Sequence, residues 1–310
     1  MKLINSSYEI LEQGEGLQGI YEQIERVGKT CYKSEVKGGE SAKNFVEKMI
    51  ANQHYAMLEH GTVYLMAVDW DYEPLRHYRS NKYSRYKEIH LETEHCQGDT
   101  SYKYAYYVTT NLRVLVENGW LDDLKYVCEP TEHHIKRVCV RFICDRGVSH
   151  ELVRHRVFSF AQESTRYCNY SKDKFGNELT FIIPSWAQNL REGSFDDTLG
   201  LDFAWSSTDG GESLRCNEQE ACFMGVLNKV ESRYMEAIQK YGLTAQQARQ
   251  MLPNALKTEI CMTGFVDDAG WKHFFDLRAL DKTGPAHPDM KALALPLYAD
   301  FIQRGLINPQ

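Results

Sequence analysis

Apolar and polar positions along the chain follow two periods, and each period predicts a different element. Apolar residues at helical spacing over 17–27, 41–52 and 218–241 predict helices, because this spacing gathers them on one face. Apolar, β-branched runs at 62–68 and 135–143 predict strands. The same reading predicts further strands at 104–109 and 181–183, and further helices at 111–118, 148–159, from 244 up to Pro253, and 290–303. The chain therefore alternates strands and helices without an internal repeat.

Two stretches break this alternation. Residues 69–103 are polar, aromatic and charged without a clear period, and residues 186–216 are rich in Gly, Ser and Asp. No Gly/Ser-rich linker separates two independent apolar patterns. We therefore expect one domain spanning 1–310, with insertions at about 69–103 and 186–216, the second of them on the surface.

Composition excludes several classes of protein. The chain has 310 residues, 43 % of them hydrophobic and 12 % aromatic, which a disordered chain would lack. No run approaches the roughly 18 apolar residues of a transmembrane helix, and residues 1–14 contain no apolar signal core. We therefore expect a cytoplasmic protein with no membrane partner. The net charge of −7 makes general nucleic-acid binding unlikely as a class.

Cysteine and histidine spacing argues against a metal site. The nine cysteines include no CxxC pair, so we expect mostly buried, reduced thiols. His150 and His155 are five residues apart, about 140° around a helix, whereas a zinc-binding helix presents histidines four apart on one face. No metal is expected.

A run of basic and aromatic residues at 76–87 leaves two interpretations open. Cations beside aromatic rings can bind single-stranded nucleic acid, and they can equally form a solvated face with partly buried stems. A nucleic-acid-binding or flavin-binding module based on this run is the alternative function. Its members are Arg76, Tyr78, Arg79, Lys82, Tyr83, Arg85, Tyr86 and Lys87.

The densest chemistry lies between Arg154 and Tyr167. Three guanidiniums, an imidazole, a carboxylate, an amide and several hydroxyls fall within fourteen residues, with Phe158 and Phe160 between them. Guanidinium groups bind phosphate through two parallel hydrogen bonds. This segment therefore predicts a site for an anionic, planar ligand.

The same segment carries a resemblance to a known family. Arg154-His155-Arg156, then seven residues, then Ser164, resembles the RHRx7S signature of flavin-dependent thymidylate synthases. Three further stretches match the family in order: His54 to His60, Ala248 to Pro253, and His273 to Arg278. His287 falls where a family histidine follows that arginine.

The resemblance implies both a fold and a reaction. The fold is α+β, an antiparallel sheet flanked by long helices, assembled as a homotetramer with active sites at subunit interfaces. The reaction converts dUMP to dTMP, with methylenetetrahydrofolate as one-carbon donor and FAD, reduced by NADPH or NADH, as hydride carrier. The chain has no GxGxxG fingerprint, which indicates that the nicotinamide binds transiently as a co-substrate and is not a resident cofactor.

The resemblance also assigns roles to individual residues. The FAD-binding set is Arg154, His155, Arg156, Gln162, His273 and His287. The dUMP-binding set is Glu151, Arg154, Gln162, Glu163, Ser164, Thr165, Arg166, Arg249 and Arg278. This chain departs from the family at three positions. The family often has Gln where Glu151 stands, Ser or Thr where Ala56 stands, and Ser where Cys31 stands. The loop at 264–270 is about two residues longer, so Asp267 has no confident counterpart.

The expected catalytic residue is Arg278. C5 of uracil must become nucleophilic, either by thiolate attack at C6 or by stabilising negative charge on the ring. Cys168 is the sole thiol near the motif in sequence. By resemblance Arg278 provides the second route, and one preorganised donor of this kind is typically worth about 3–4 kcal/mol.

Overall fold

A computed structural model describes residues 1–70, 74–91, 103–201 and 203–309. Its α-helices are α1 Gly16–Thr30, α2 Gly39–Ala51, α3 Leu112–Asn118, α4 Arg146–Leu152, α5 Glu218–Gln239, α6 Ala245–Ala248, α7 Trp271–Arg278 and α8 Pro288–Gln303. Short 3-10 helices lie at Tyr55–His60, Arg76–Ser80, Leu121–Tyr126, Asp173–Phe175 and Arg249–Met251.

Twelve strands complete the described elements. They are β1 Lys2–Ile4, β2 Ser7–Leu11, β3 Thr62–Trp70, β4 Arg85–Leu91, β5 Lys103–Asn111, β6 Arg137–Asp145, β7 Ser159–Gln162, β8 Thr180–Ile182, β9 Gly193–Leu201, β10 Ala204–Ser207, β11 Leu214–Arg215 and β12 Lys257–Phe265. Most predicted elements are confirmed with shifts of a few residues at their ends.

The strands form three sheets in the described part of the chain, which makes the fold a mixed α+β type. The orders are β11-β10-β9-β1-β8, β2-β6-β12-β7 and β3-β5-β4. All strand pairs are antiparallel except β1 with β8, which is parallel. The expectation of one antiparallel sheet is therefore corrected to several sheets, of which the five-stranded one is mixed.

Each sheet buries its own apolar face against different helices. The four-stranded sheet packs with residues of α4, α7 and α8, the five-stranded sheet with α5, and the three-stranded sheet with α1 and α3. β12 lies inside the four-stranded sheet, paired with β6 along its whole length and with β7 over four residues. This central strand holds the motif segment in place.

The predicted helix at 148–159 is wrong in its second half. Asp145 begins α4 by accepting a hydrogen bond from the amide of Val148 at 2.9 Å. α4 ends at Leu152, and Ser159–Gln162 forms β7 on the edge of β12. Sheet pairing supplies backbone partners that the local apolar spacing could not reveal, so tertiary context overrides the helical pattern.

The stretch at 186–216 is not a surface loop, which corrects a second expectation. It contains β9, β10 and β11, and β9 pairs with β1. Phe195 and Trp205 are 1 % and 3 % exposed and belong to the core of the five-stranded sheet. The stretch at 69–103 contains β4, which extends a separate three-stranded sheet; residues 71–73 and 92–102 of this prediction lie outside the described residues.

Gly28 does not end the first helix as its identity suggests. α1 continues to Thr30, and a Cβ built at Gly28 would lie 2.6 Å from the ring of Phe45 in α2. The glycine is therefore needed for close packing of α1 on α2. Gly119, by contrast, ends α3 in the left-handed conformation at φ 72°.

Candidate functional site

α4 and α7 bring three predicted site residues together. Arg278 ends α7, and its Nη1 donates to Oε2 of Glu151 at 2.7 Å. Its Nε donates to Nε2 of His155 at 3.1 Å. Both side chains of the ion pair are partly exposed, at 20 % for Arg278 and 29 % for Glu151. The guanidinium is thus held in one orientation while solvent still reaches it.

His155 holds Arg278 as a neutral imidazole. It is 7 % exposed and packs against the ring of Phe274 at 5.1 Å. Burial lowers its pKa to about 4, and the positive charge of Arg278 and the neighbouring His273 lower it in the same direction. At neutral pH Nε2 is therefore free of a proton and accepts from Arg278, which assigns the remaining proton to Nδ1.

β7 and the turn after it position the next predicted residues. Nε2 of Gln162 donates to Ser149 Oγ at 2.9 Å and to Thr258 Oγ1 at 3.1 Å. The amide of Ser164 donates to the carbonyl of Cys31 at 3.0 Å. Its hydroxyl accepts from the amide of Arg166 at 3.4 Å, so it caps its own turn. These bonds fix the turn that carries Ser164 and Arg166.

Glu163 lies in a closed ion network, apart from Arg278. One carboxylate oxygen accepts from Tyr170 at 2.9 Å and the other from Lys257 at 2.8 Å. Lys257 also contacts Glu259 at 2.8 Å, and Glu259 binds Lys33. Glu163 is 3 % exposed. A direct contact between Glu163 and dUMP would therefore require this network to open.

The lysines determine the charge state of Glu259. Burial alone would raise the pKa of this carboxyl, but Lys257 and then Lys33 lower it to about 2. Burial raises the pKa of Tyr170 well above its usual value, and the negative charge of Glu163 adds to this effect. Burial alone would lower the pKa of Lys257, but Glu163 and Glu259 raise it, so Lys257 and Glu259 form a charged pair at neutral pH.

The other predicted site residues lie mainly on the surface. Thr165 is buried, at 8 % exposure. His287 is half exposed and lies 3.9 Å from a carboxylate oxygen of Asp289. Exposed positions in this protomer also hold Arg154, Arg156, Arg166, Arg249 and His273. Of these, His273 lies near the Arg278 cluster, with its ring centroid 6.4 Å from that of His155.

Arg156 also lines a cleft of about 530 Å³ between the motif segment and the three-stranded sheet. The lining contains five cationic side chains and two glutamates, Glu59 and Glu117. Both glutamates bind Arg113, at 2.5 and 2.8 Å. The cleft therefore keeps an excess of positive charge, which suits a ligand that carries phosphate groups.

The basic and aromatic run at 76–87 is largely engaged with its own surroundings. Tyr78 is 1 % exposed and donates to Asp123 at 3.0 Å, so it offers no platform for a base. Arg85 binds Asp267 at 2.7 Å. Arg79 lies 3.9 Å from Glu88. These contacts favour the structural interpretation of the run over nucleic-acid binding.

Sequence reasoning missed two residues near the site, Lys257 and Arg137, and noted Cys31 only as a departure from the family. Cys31 supplies the carbonyl that holds Ser164, Lys257 neutralises Glu163, and the partly exposed Arg137 lines the cationic cleft. Lys257 and Arg137 are cations at strand ends beside long apolar runs. A charge in such a place was the available signal, because a buried lysine or arginine needs a partner.

No described helix is long and apolar enough to cross a membrane. Residues 1–70, 74–91, 103–201 and 203–309 contain no group of three His, Cys, Asp or Glu side chains placed to hold a metal ion.

The structure thus presents a partly exposed arginine, Arg278, held by a carboxylate and a neutral histidine, and a cationic cleft lined by the segment that follows that histidine. The family model of thymidylate synthase complementing proteins matches residues 127–304, and the chain belongs to this family. The match includes the whole motif segment and Arg278. It begins after β3, β4 and β5, so the three-stranded sheet lies outside it.

The chain is similar to several flavin-dependent thymidylate synthases. It is 29 % identical to that of Pyrococcus furiosus over 166 residues, which are 54 % of each chain. It is 30 % identical to that of Corynebacterium diphtheriae over 167 residues, 53 % of this chain and 56 % of the relative. The chain therefore spans about half the length of the curated relatives it matches.

Solved structures give a weaker likeness. A UMP/dUMP methylase PolB from Streptomyces cacaoi, bound with 5-Br dUMP, has 15 % identity and a TM-score of 0.40, covering 98 % of this chain and 93 % of the other. Thymidylate Synthase X from Helicobacter pylori, with FAD and dUMP, has 16 % identity and a TM-score of 0.33, covering 53 % and 66 %.

Proposed function

We propose that this chain methylates dUMP to dTMP, taking the one-carbon unit from methylenetetrahydrofolate and using FAD that NADPH has reduced. The observation that carries the proposal is the orientation of Arg278, fixed by Glu151 at 2.7 Å and His155 at 3.1 Å. A guanidinium held in place can stabilise negative charge on a uracil ring without gaining or losing a proton. Membership of the family supports the same reaction.

The residues present fit a flavin dinucleotide. The cleft beside Arg156 has an excess of cations, and Nε of Arg137 beneath it is buried with no hydrogen-bond partner in the described structure. When bound, FAD would supply the hydride, and the protein would orient it. Arg154, His155, Arg156, His273 and His287 would hold the cofactor, with Gln162 on the neighbouring strand.

Arginines on the open surface would bind the substrate. The phosphate of dUMP is a dianion, and Arg154, Arg166 and Arg249 present exposed guanidiniums suited to it. Gln162 and Ser164 lie on the rigid strand and turn that lead to Arg166. Arg278 would face the uracil ring, and the neutral His155 fixes its guanidinium without placing a second positive charge beside it.

We also propose a homotetramer with active sites at subunit interfaces. Val153, Val157 and Tyr167 flank the motif arginines and are 41 %, 59 % and 57 % exposed. Exposed apolar residues at a binding site are typical of a surface that another subunit covers. Light scattering should show four copies, and a stable, active monomer would refute the assembly.

The function is tested by reconstitution. Purified protein with FAD should show a flavin spectrum and form dTMP from dUMP, methylenetetrahydrofolate and NADPH, with omission of any one stopping product formation. Arg156→Ala should lower flavin content per chain after desalting, whereas Arg233→Ala on the distant α5 should not. A colourless protein that forms no dTMP would overturn the proposal, and unchanged flavin in Arg156→Ala would overturn the role of that residue.

A further inference from the structure

The cationic cleft has two walls from different parts of the chain. One is the motif segment with Arg156 and Phe158. The other comes from the three-stranded sheet and its flanking turn, with Lys82, Tyr83 and Arg85. This second wall lies outside the region that matches the family. The three-stranded sheet is called the added sheet below, because it lies outside the matched residues 127–304.

Two arginines lie against one aromatic ring in this cleft. The guanidinium of Arg85 is 4.1 Å from the ring centroid of Phe265, and that of Arg137 is 5.2 Å from it. Phe265 ends β12, so the contact joins the added sheet to the central strand of the family core. Asp267 binds Arg85 at 2.7 Å. Asp267 thus compensates the charge of Arg85 directly.

Arg137 is the less compensated of the two. Its Nη1 donates to the carbonyl of Glu59 at 3.0 Å and to Thr62 Oγ1 at 3.3 Å, both neutral acceptors. Its Nε has no partner in the described part of the chain. Burial lowers its pKa to about 10; the negative charge of Glu59 opposes this shift, and the positive charge of Arg85 adds to it. A desolvated cation beside a second cation favours an anion in the adjoining space.

We propose that Arg85 and Arg137, joined through Phe265, form a site for the pyrophosphate of an adenine dinucleotide, with the added sheet as its second wall. The inference rests on the proposed function, since it assigns a cofactor group to that same cleft. A pyrophosphate carries two negative charges within the reach of a pair of guanidinium forks. Tyr83, which is 57 % exposed, offers a ring face on which the adenine base stacks.

Two dinucleotides of the proposed reaction carry this group, FAD and NADPH. The test titrates the apoprotein with FAD and with FMN, which lacks the adenylate half, and follows flavin fluorescence. Arg85→Met should weaken FAD binding about tenfold or more and leave FMN within about twofold, since it removes one charged donor from the pyrophosphate. That result supports a flavin pyrophosphate in the cleft.

The second arm uses protein saturated with FAD. If Arg85→Met leaves FAD affinity unchanged but raises the NADPH concentration for half-maximal flavin reduction about tenfold, the pyrophosphate belongs to the nicotinamide dinucleotide. This outcome also supports a pyrophosphate site in the cleft, with NADPH rather than FAD as its ligand. Unchanged values for FAD and NADPH together would overturn the proposal.

Two further variants keep the test independent of folding. Lys82→Ala and Tyr83→Ala change exposed side chains of the same wall and should each weaken dinucleotide binding about threefold or more. Arg233→Met, which removes an exposed guanidinium on α5, should change nothing. If all variants melt like the parent and none alters binding, the proposed wall is wrong.

Failure of this inference is separable from failure of the proposed function. Calorimetry with ADP, which carries the pyrophosphate without a flavin or nicotinamide, tests the anion site in a protein that forms no dTMP. ADP binding that Arg85→Met abolishes supports the site even then. Normal dTMP formation with no effect of any wall variant would leave the function standing and remove the site.

Discussion

Two ion pairs of nearly equal length serve different ends. Arg278 meets Glu151 at 2.7 Å, and Lys257 meets Glu163 at 2.8 Å. In the first pair the side chains of Arg278 and Glu151 are 20 % and 29 % exposed. In the second pair those of Lys257 and Glu163 are 12 % and 1 % exposed. The comparison shows that burial and partner number, rather than distance, separate a charge available to a ligand from one that maintains the fold.

The closed network should respond most strongly to mutation. Lys257→Met leaves Glu163 and Glu259 with buried, weakly compensated charge, and breaking a buried pair in this way costs about 3–5 kcal/mol. Denaturant unfolding of the variant measures the loss. Lys240→Met provides the control, because its pair with Glu236 is exposed to solvent, and such surface pairs contribute little to stability. Equal, small losses in both variants would show that the network does not stabilise the fold.

Mutation of Arg278, in the more exposed pair, should change the turnover rate rather than the stability of the fold. Arg278→Ala removes the one donor aimed at the uracil in the proposed reaction, which lowers turnover by roughly 10²–10³. Arg278→Lys should rescue poorly, because a point charge does not reproduce a planar fork. Single-turnover oxidation of reduced flavin by methylenetetrahydrofolate and dUMP measures the step.

Flavin content and its reduction by NADPH are the internal controls for Arg278→Ala. Both should stay near the values of the parent protein, since neither needs charge on the uracil. Loss of flavin together with turnover would mean that Arg278 maintains the cofactor site, and unchanged turnover would remove its proposed catalytic role.

The buried, neutral imidazole of His155 makes the stability of the fold depend on pH. Because the pKa of His155 falls from 6.5 to about 4 on folding, its contribution to stability is complete above pH 6.5 and is lost as pH falls toward 4. The full shift corresponds to roughly 3 kcal/mol. Unfolding free energies at pH 7 and pH 4 should therefore differ less in His155→Asn than in the parent. Identical pH profiles would contradict burial of a neutral imidazole.

Sequence patterning predicted much of this arrangement and failed where partners are distant. The apolar stripe predicted α5, and the helix predicted from 244 is confirmed where the capping box of Thr244 and Gln247 begins α6. Arg278 and His155 were identified by motif spacing, which is local. The contacts of Lys257 depend on pairing between β12 and the turn after β7, which no local pattern encodes. The hairpin of β9 and β10 was missed because its sequence is polar, with few buried residues such as Phe195 and Trp205.

The smallest expected effect concerns Cys168, and it separates an electrostatic from a thiolate mechanism. Cys168 is fully buried, and burial, followed by the negative charge of Glu163, raises its pKa to about 11. Burial also raises the pKa of Cys31, the other thiol that contacts the motif. Both therefore remain protonated near pH 7, and a protonated thiol is a poor nucleophile.

Cys168→Ala should keep dTMP formation within a few-fold of the parent, with a stability loss of about 1 kcal/mol from the small cavity. The exposed Cys222→Ala is the matched control for handling and oxidation. Measured at a temperature where both variants stay folded, the two rates should agree. A Cys168→Ala protein that binds flavin and is folded yet forms no dTMP would require the thiolate route. In that case Arg278 would act by positioning substrate, since one route to a nucleophilic C5 makes the other unnecessary.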